Sequence, residues 1–161
     1  PSDPAGIRGG KSALDALAAI AAVKAKFASR GDNSGTHKKE MALWQQAGIE
    51  PLSGSGDWYL ETGSGMGATL NAAIGSGAYT MTDRATWISF RNRQDYAVLV
   101  EGDDRLFNQY GIIMVNPGKC PTVKRDAARK FIDWILSPKG QAAIATYQLD
   151  GQQLFFPNAG M

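Results

Sequence analysis

A short strand, a tight turn and the start of a helix follow one another in Phe27-Ala28-Ser29-Arg30-Gly31-Asp32-Asn33-Ser34-Gly35-Thr36-His37. We predict the strand over Lys26–Ser29 and the helix over Thr36–Ala47, which Gly48 ends. The strand delivers a fixed cation, Arg30, to the turn. A helix N-terminus presents free N–H donors and about half a positive charge, so the stretch is typical of a small-anion trap.

Several side chains of this stretch suit a tetrahedral oxyanion. Arg30 offers two parallel charged hydrogen bonds, and the hydroxyl groups of Ser34 and Thr36 can donate. The backbone N–H groups of Gly35 and Thr36 lie at the predicted helix start, and Gly35 allows an oxygen to come close to the backbone. Asp32 has three open roles: it orients Arg30, caps the helix, or accepts a proton from the ligand. The first two roles suit a fully deprotonated dianion such as tungstate, molybdate or sulfate, and the third suits phosphate.

The same residues also have simpler interpretations. Arg30–Ser34 is equally explained as a turn that caps a helix without binding a ligand. The tripeptide Arg30-Gly31-Asp32 also occurs in integrin ligands, but the capping pattern around it accounts for these residues better. A second glycine-rich stretch, Gly63–Ala68, misses the spacing of a dinucleotide site. It is explained either as a plain turn or as a second helix start, with Gly65 and Gly67 facing the same cleft.

The remaining pattern alternates short strands and helices. This alternation favours an α/β fold, a mixed sheet flanked by helices, in which ligands bind where loops leave the strand ends. Further helices are predicted at 12–25, 68–74, 83–90, 123–136 and 139–148, and further strands at 58–61, 78–81, 96–101 and 109–115.

The composition excludes several functions. With 161 residues, 43% hydrophobic and 20% charged, the chain can form one domain or two small lobes. A net charge of +2 argues against nucleic acid as a partner, and no apolar run is long enough to span a membrane. One histidine, His37, and one cysteine, Cys120, leave no metal site of side-chain ligands and no catalytic set. We therefore expect a binding protein rather than an enzyme, without a cofactor.

Four stretches together resemble the tungstate-binding periplasmic proteins of ABC importers, within the type II solute-binding superfamily. They are Phe27–His37, Trp58–Glu61 with Gly65–Leu70, Tyr79–Arg84, and Phe131–Gln141. The resemblance implies two α/β lobes that close on the anion, a periplasmic or extracellular lipid-anchored location, and a membrane permease as partner. It also implies that Arg30 and Thr36 contact the oxyanion, with Ser34 and Gly35 close by.

The chain departs from this family in one respect. Nothing in it matches the N-terminal lobe, whose Thr/Ser-rich loop supplies the other half of the site, and the start at Pro1 suggests a processed or truncated form. We expect residues 1–109 to form the ligand-binding second lobe. Residues 110–161 would be a return strand and C-terminal helices that pack on the missing lobe, which leaves an apolar patch on 123–136 open to dimerisation. A phosphate or sulfate receptor and an oxyanion-sensing domain of a regulator remain as alternatives.

Overall fold

The computed structural model describes residues 2–159. Pro1, at the start of the predicted second lobe, and Gly160 and Met161, at the end of the predicted C-terminal segment, lie outside the described residues. The chain divides into two compact units, residues 1–108 and 109–161.

A three-stranded parallel sheet forms the centre of the first unit. The middle strand, β1 (Phe27–Ser29), lies between β2 (Tyr59–Glu61) and β3 (Tyr79–Thr80). Phe27 is in register with Tyr59 on one side and with Tyr79 on the other. Since all three strands run the same way, the loops that follow them leave from one edge of the sheet.

The strands are connected by helices that lie on opposite faces of the sheet. The helices of this unit are α1 (Ala13–Ala22), α2 (Gly35–Gln46), α3 (Met66–Ser76) and α4 (Arg84–Ser89), with single 3-10 turns at Pro51–Gly54 and Asp104–Leu106. α2 leads from β1 to β2, and α3 leads from β2 back past β1 to β3. Such crossovers are right-handed, and these two run in opposite directions across the sheet. Their helices, α2 and α3, therefore lie on opposite faces. The loops after β1 and β2 therefore start at neighbouring strand ends and lead to helices on opposite faces, and ligands bind at such a position in these sheets.

Successive side chains of β1 supply the two sides of the core. Phe27 points to the face of α2, where its ring lies 5.3 Å from that of Trp44 and 6.0 Å from that of Tyr59. Ala28 points to the other face and clusters with Ala73 of α3. The main cluster is aromatic and aliphatic: Ala13, Leu17, Ile20, Ala25, Phe27, Leu43, Trp44, Trp58 and Tyr59. This core fixes both α2 and the end of β1, and so the loop between them.

The predicted strand at 96–101 is wrong. Only Val100 pairs, through an isolated bridge to Gly10, and Leu99 accepts a hydrogen bond from the N–H of Gly9 at 2.9 Å. The partner segment turns at two left-handed glycines, Gly6 and Gly9, so it offers no extended edge along which a ladder can continue.

The second unit contains α5 (Arg125–Leu136), α6 (Pro138–Thr146) and a two-stranded antiparallel hairpin, β4 (Gln148–Leu149) with β5 (Gln152–Gln153). The predicted strand at 109–115 is wrong, because no described strand lies beside this run to accept its backbone hydrogen bonds. Its apolar side chains are open to solvent, with Ile113 90% exposed. α5 has no buried residue, and Phe131, Trp134 and Leu136 are exposed. The predicted apolar patch on this helix is confirmed.

The α/β class, with a sheet flanked by helices, is confirmed, and the sheet of the first unit is parallel while antiparallel pairing occurs in the separate hairpin. Among residues 2–159, every helix is too short or too polar to cross a bilayer.

Candidate functional site

Two loops meet at the carboxyl edge of the sheet. The first loop, residues 30–34, follows β1, and the second loop, residues 62–65, follows β2. The N–H of Thr62 donates to the carbonyl of Ser29 at 2.9 Å, and the N–H of Ser64 donates to the carbonyl of Arg30 at 3.2 Å. Backbone hydrogen bonds thus join the two loops beyond the end of the strands, and each loop leads into a helix.

Arg30 and Asp32 form an ion pair on the first loop. The guanidinium donates from Nε and Nη2 to the same carboxylate oxygen, Oδ2, at 3.2 and 2.5 Å. Both side chains are largely covered, with 18% and 21% exposed. The third guanidinium nitrogen, Nη1, makes no hydrogen bond to any described residue. Arg30 is therefore held in one orientation and still has a charged donor to offer.

The Asp32 carboxylate is fully engaged by its neighbours. Its other oxygen, Oδ1, accepts from the N–H of Ser34 at 3.2 Å. Hydrogen bonds from Ser34 and Arg30 lower the pKa of Asp32 from 3.8 to about 2. Asp32 is thus ionised at neutral pH, and it orients Arg30 while it tightens the turn before α2. Its use as a proton acceptor for a ligand stays a prediction.

The first turn of α2 carries the other three predicted contacts. Ser34 is the N-cap, and its hydroxyl oxygen accepts from the N–H of His37 at 3.3 Å. Gly35 and Thr36 are the first two helical residues, so their N–H groups have no acceptor within the helix. The Thr36 hydroxyl makes no hydrogen bond within residues 2–159. The structure brings Arg30, Ser34, Gly35 and Thr36 onto one strand–loop–helix element, with Ser34 already used as a cap.

The second helix start is similar but lacks a side-chain cap. Gly65 is the N-cap of α3 and has no side chain that could accept a hydrogen bond. The N–H groups of Met66 and Gly67 therefore keep their donor capacity. The hydroxyl groups of Thr62 and Thr69 lie 2.8 Å apart and tie the loop to the second turn of this helix. Gly65 and Gly67 are open above their Cα atoms, where an added Cβ would meet nothing within 4 Å.

Gly31 occupies a position that demands glycine. Its φ of +60° is left-handed, and a Cβ added there would lie 3.1 Å from Cβ of Glu61 on β2. The chain can therefore turn away from β1 only by passing close against the neighbouring strand. Gly31 of the first loop therefore lies close to the end of β2 and to Gly63 of the second loop.

A buried carboxylate, Glu40, lies beneath the first loop, and its role was not predicted from the sequence. Glu40 of α2 is 2% exposed and accepts hydrogen bonds from Ser29 Oγ at 2.9 Å, Tyr59 Oη at 2.6 Å and Trp44 Nε1 at 3.2 Å. Burial raises the pKa of Glu40, and burial together with the bond to Glu40 raises the pKa of Tyr59. The available signal was a glutamate on the apolar stripe of α2, three residues before Leu43 and four before Trp44.

Beside the first loop, a groove of about 700 Å³ runs along the outer side of α2 and includes Asn33, His37, Met41 and Ile49 in its lining. Neither Arg30 nor Thr36 lines it. Within residues 2–159, no group of three or more His, Cys, Asp or Glu side chains is placed to hold a metal ion. The donors at this edge of the sheet are N–H groups, hydroxyls and a guanidinium, which is a set for oxyanions.

Comparison with known proteins gives consistent matches. A tungstate-binding protein TupA of Peptoclostridium acidaminophilum is 47% identical over 148 residues, which is 91% of this chain and 51% of that protein. A tungstate-binding protein TupA of Campylobacter jejuni is 37% identical over 93% of this chain and 56% of its own length. The solved structure of TupA from Desulfovibrio alaskensis G20 is 51% identical, with a TM-score of 0.79, over 98% of this chain and 64% of that one.

These relatives are named as binding proteins, and this chain spans about half the length of the two curated ones. The PBP superfamily domain, a protein family, matches residues 1–139. The parallel sheet, the flanking helices and the paired loops at one sheet edge agree with that assignment. The chain belongs to the PBP superfamily domain family.

Proposed function

We propose that this chain binds a tetrahedral oxyanion, tungstate first and molybdate second, as part of the substrate-binding component of an ABC transporter. The observation that carries the proposal is the meeting of Arg30 with two helix N-termini at neighbouring strand ends. The relatives named for tungstate binding support the choice of ligand. Binding without chemical conversion follows from the same donors, since none of them is a nucleophile paired with a base.

The electrostatics favour an anion. Two helix starts contribute about half a positive charge each, from α2 and from α3. Arg30 adds a full charge, which Asp32 offsets in part while it fixes the direction of the guanidinium. We infer contacts from Arg30, from Thr36 through its hydroxyl and N–H, and from the N–H of Gly35. Ser34, Gly65 and Gly67 line the same edge, and Asp32 acts through Arg30.

These groups form one side of a site. A tetrahedral anion has four oxygens, and the donors above come from a single sheet edge. We infer that the family's other lobe supplies the remaining donors, while residues 1–109 act as the ligand-binding second lobe. In the same arrangement, residues 110–161 would pack on the first lobe, and that lobe would cover the exposed face of α5. Dimerisation through that face has no support in the names of the relatives, and it stays a prediction.

Calorimetric titration of the full-length protein with tungstate tests the proposal. We expect binding at micromolar concentration or tighter, and a loss of most of the affinity in Arg30→Ala. Lys26→Ala is the matched control, because it removes one positive charge from the amino end of the same strand, away from the site. An absence of tungstate and molybdate binding at these concentrations would contradict the proposal.

Competition among anions separates the alternatives. Sulfate is a dianion above pH 3, whereas phosphate carries a proton near neutral pH. If tungstate is the ligand, neither sulfate nor phosphate displaces it at equal concentration at pH 6 or pH 8. Displacement by phosphate with a strong dependence on pH would instead favour a phosphate receptor, with Asp32 as the acceptor of the ligand's proton.

A permease partner and a periplasmic location belong to the same proposal. Both follow from the family resemblance and from the similarity to a solved structure named as the tungstate ABC transporter of Geobacter sulfurreducens, of which this chain covers 60%. A regulator with an oxyanion-sensing domain would bind the same ligand without a permease. Co-purification of the full-length protein with membrane components of a transporter, dependent on tungstate, distinguishes the two.

A further inference from the structure

Two residues of the first loop have left-handed backbones. Gly31 has a φ of +60° and Asn33 a φ of +58°. An asparagine in this conformation costs conformational energy that neighbouring contacts must offset. These two residues turn the chain from the end of β1 to the start of α2, so they decide the direction of the donors on either side.

The N–H group of each left-handed residue is held by a side chain. The N–H of Gly31 donates to Ser29 Oγ at 3.3 Å, and the N–H of Asn33 donates to His37 Nδ1 at 3.1 Å. Neither N–H is left for a ligand. The donors nearby that still lack an acceptor among residues 2–159 include Nη1 of Arg30 and the N–H groups of Gly35 and Thr36 at the start of α2.

Both acceptors depend on the first two turns of α2. His37 lies in the first turn, where its own N–H donates to the cap Ser34 at 3.3 Å. Ser29 is fully buried, and its hydroxyl donates to Oε2 of Glu40, three residues after His37 on the same side of the helix. One face of α2 thus holds the loop at two points. His37 binds Asn33 directly, and Glu40 binds Ser29, which in turn binds Gly31.

The contact with Asn33 determines which tautomer of the neutral imidazole is compatible with the structure. A peptide N–H can only donate, so Nδ1 of His37 accepts and carries no proton. The ring proton of the neutral imidazole is then on Nε2. A side chain of similar shape without this acceptor, such as Phe, leaves the N–H of the exposed Asn33 to water, whereas Gln can supply an oxygen to it.

We propose that His37 and Glu40 are positioning residues of the anion site. They hold the N–H groups of Gly31 and Asn33, His37 directly and Glu40 through Ser29, which stabilises the two left-handed residues and so fixes the positions of the remaining donors of Arg30, Gly35 and Thr36. This inference rests on the proposed oxyanion-binding function, and it assigns no contact between His37 and the ligand.

Tungstate titrations of full-length variants test the inference. We expect His37→Phe to bind about tenfold more weakly, the effect of one lost hydrogen bond, and His37→Gln to bind within about threefold of the original. Gln45→Ala, an exposed change on the same helix, is the control and keeps full affinity. Equal binding by His37→Phe and the unchanged protein overturns the proposal. So does a His37→Gln variant that is folded but as weak as His37→Phe.

A second measurement needs no ligand. By nitrogen-15 NMR we expect an unprotonated Nδ1 on His37, slow amide exchange at Asn33, and faster exchange there in His37→Phe but not in His37→Gln. For the other contact, Ser29→Ala speeds exchange at Gly31, and Glu40→Gln does not, because its amide can donate to Ser29 Oγ. If the unchanged protein fails to bind tungstate, the proposed function fails, while these exchange rates still decide whether the two contacts hold the loop. Unaltered exchange at Asn33 in His37→Phe contradicts the positioning role.

Discussion

Arg30 and Asp32 form an ion pair in which two guanidinium nitrogens share one carboxylate oxygen, at 3.2 and 2.5 Å. The pair lies on the turn after the central strand, with less than a quarter of either side chain exposed. Because the second carboxylate oxygen is bound by the backbone of Ser34, the position of the guanidinium is tied to the start of α2. Asp32 therefore links the cation directly to the helix N-terminus.

Removal of Arg30 is the most direct prediction for ligand binding. Arg30→Ala removes a charged donor from a partly desolvated site, and we expect tungstate binding to weaken by about 2–4 kcal/mol. Arg30→Lys keeps the charge but loses the planar fork that Asp32 orients, so we expect an intermediate loss. Calorimetry gives both values. Near-unchanged affinity in Arg30→Ala would mean that Arg30 only stabilises the turn.

Asp32 predicts a change in stability at acid pH. Its pKa is lowered from 3.8 to about 2, so the folded state favours the ionised form, and this contribution is present above pH 4 and is lost as pH falls toward 2. Asp32→Asn has no such charge to lose. We expect thermal unfolding scans between pH 5 and pH 2 to show a steeper loss of stability in the unchanged protein than in Asp32→Asn. If the stability of the two proteins changes with pH in parallel, folding does not lower the pKa of Asp32.

Glu40 predicts the opposite slope. Burial raises its pKa above the ordinary 4.5, so the folded state favours the protonated form. The stability this group contributes is complete below pH 4.5 and declines as pH rises through the raised pKa. Relative to Glu40→Gln, which does not titrate, the unchanged protein should therefore lose stability as pH increases from 4 toward 8.

Replacement of Glu40 also tests how much its three buried hydrogen bonds contribute to stability. Glu40→Leu leaves the donors of Ser29, Tyr59 and Trp44 without their acceptor, and we expect a loss of about 1–3 kcal/mol or more in unfolding free energy, measured with urea. Glu40→Gln keeps an acceptor for Tyr59 and Trp44 and should be far milder. Equal destabilisation by the two variants would show that the carboxylate charge itself is needed.

The strand, turn and helix at the site were predictable because their signals are local. An apolar strand, a glycine turn and a Ser cap lie within a few residues of one another, and the structure has the strand at Phe27–Ser29 and the helix at Gly35–Gln46. The buried role of Glu40 was not predictable, since its donors come from three separate elements. The apolar run at 109–115 resembles a buried strand, but its residues alone do not say whether a neighbouring strand is there to pair with it.

Gly31 of the first loop and Gly35 at the start of α2 allow effects on folding to be distinguished from effects on binding. Gly31 is left-handed and lies close to Glu61, so Gly31→Ala should cost about 1–2 kcal/mol of stability, or more where the neighbouring strand cannot move. Gly35 opens α2, and a Cβ there meets nothing within 4 Å. Gly35→Ala should therefore leave stability unchanged or raise it by up to about 1 kcal/mol. Its methyl group would keep an anion from the helix start and weaken tungstate binding by roughly the worth of one charged hydrogen bond, about 1.5–3 kcal/mol. Urea unfolding and calorimetry on both variants check the pair. If Gly35→Ala keeps full affinity, the oxyanion does not approach the N-terminus of α2.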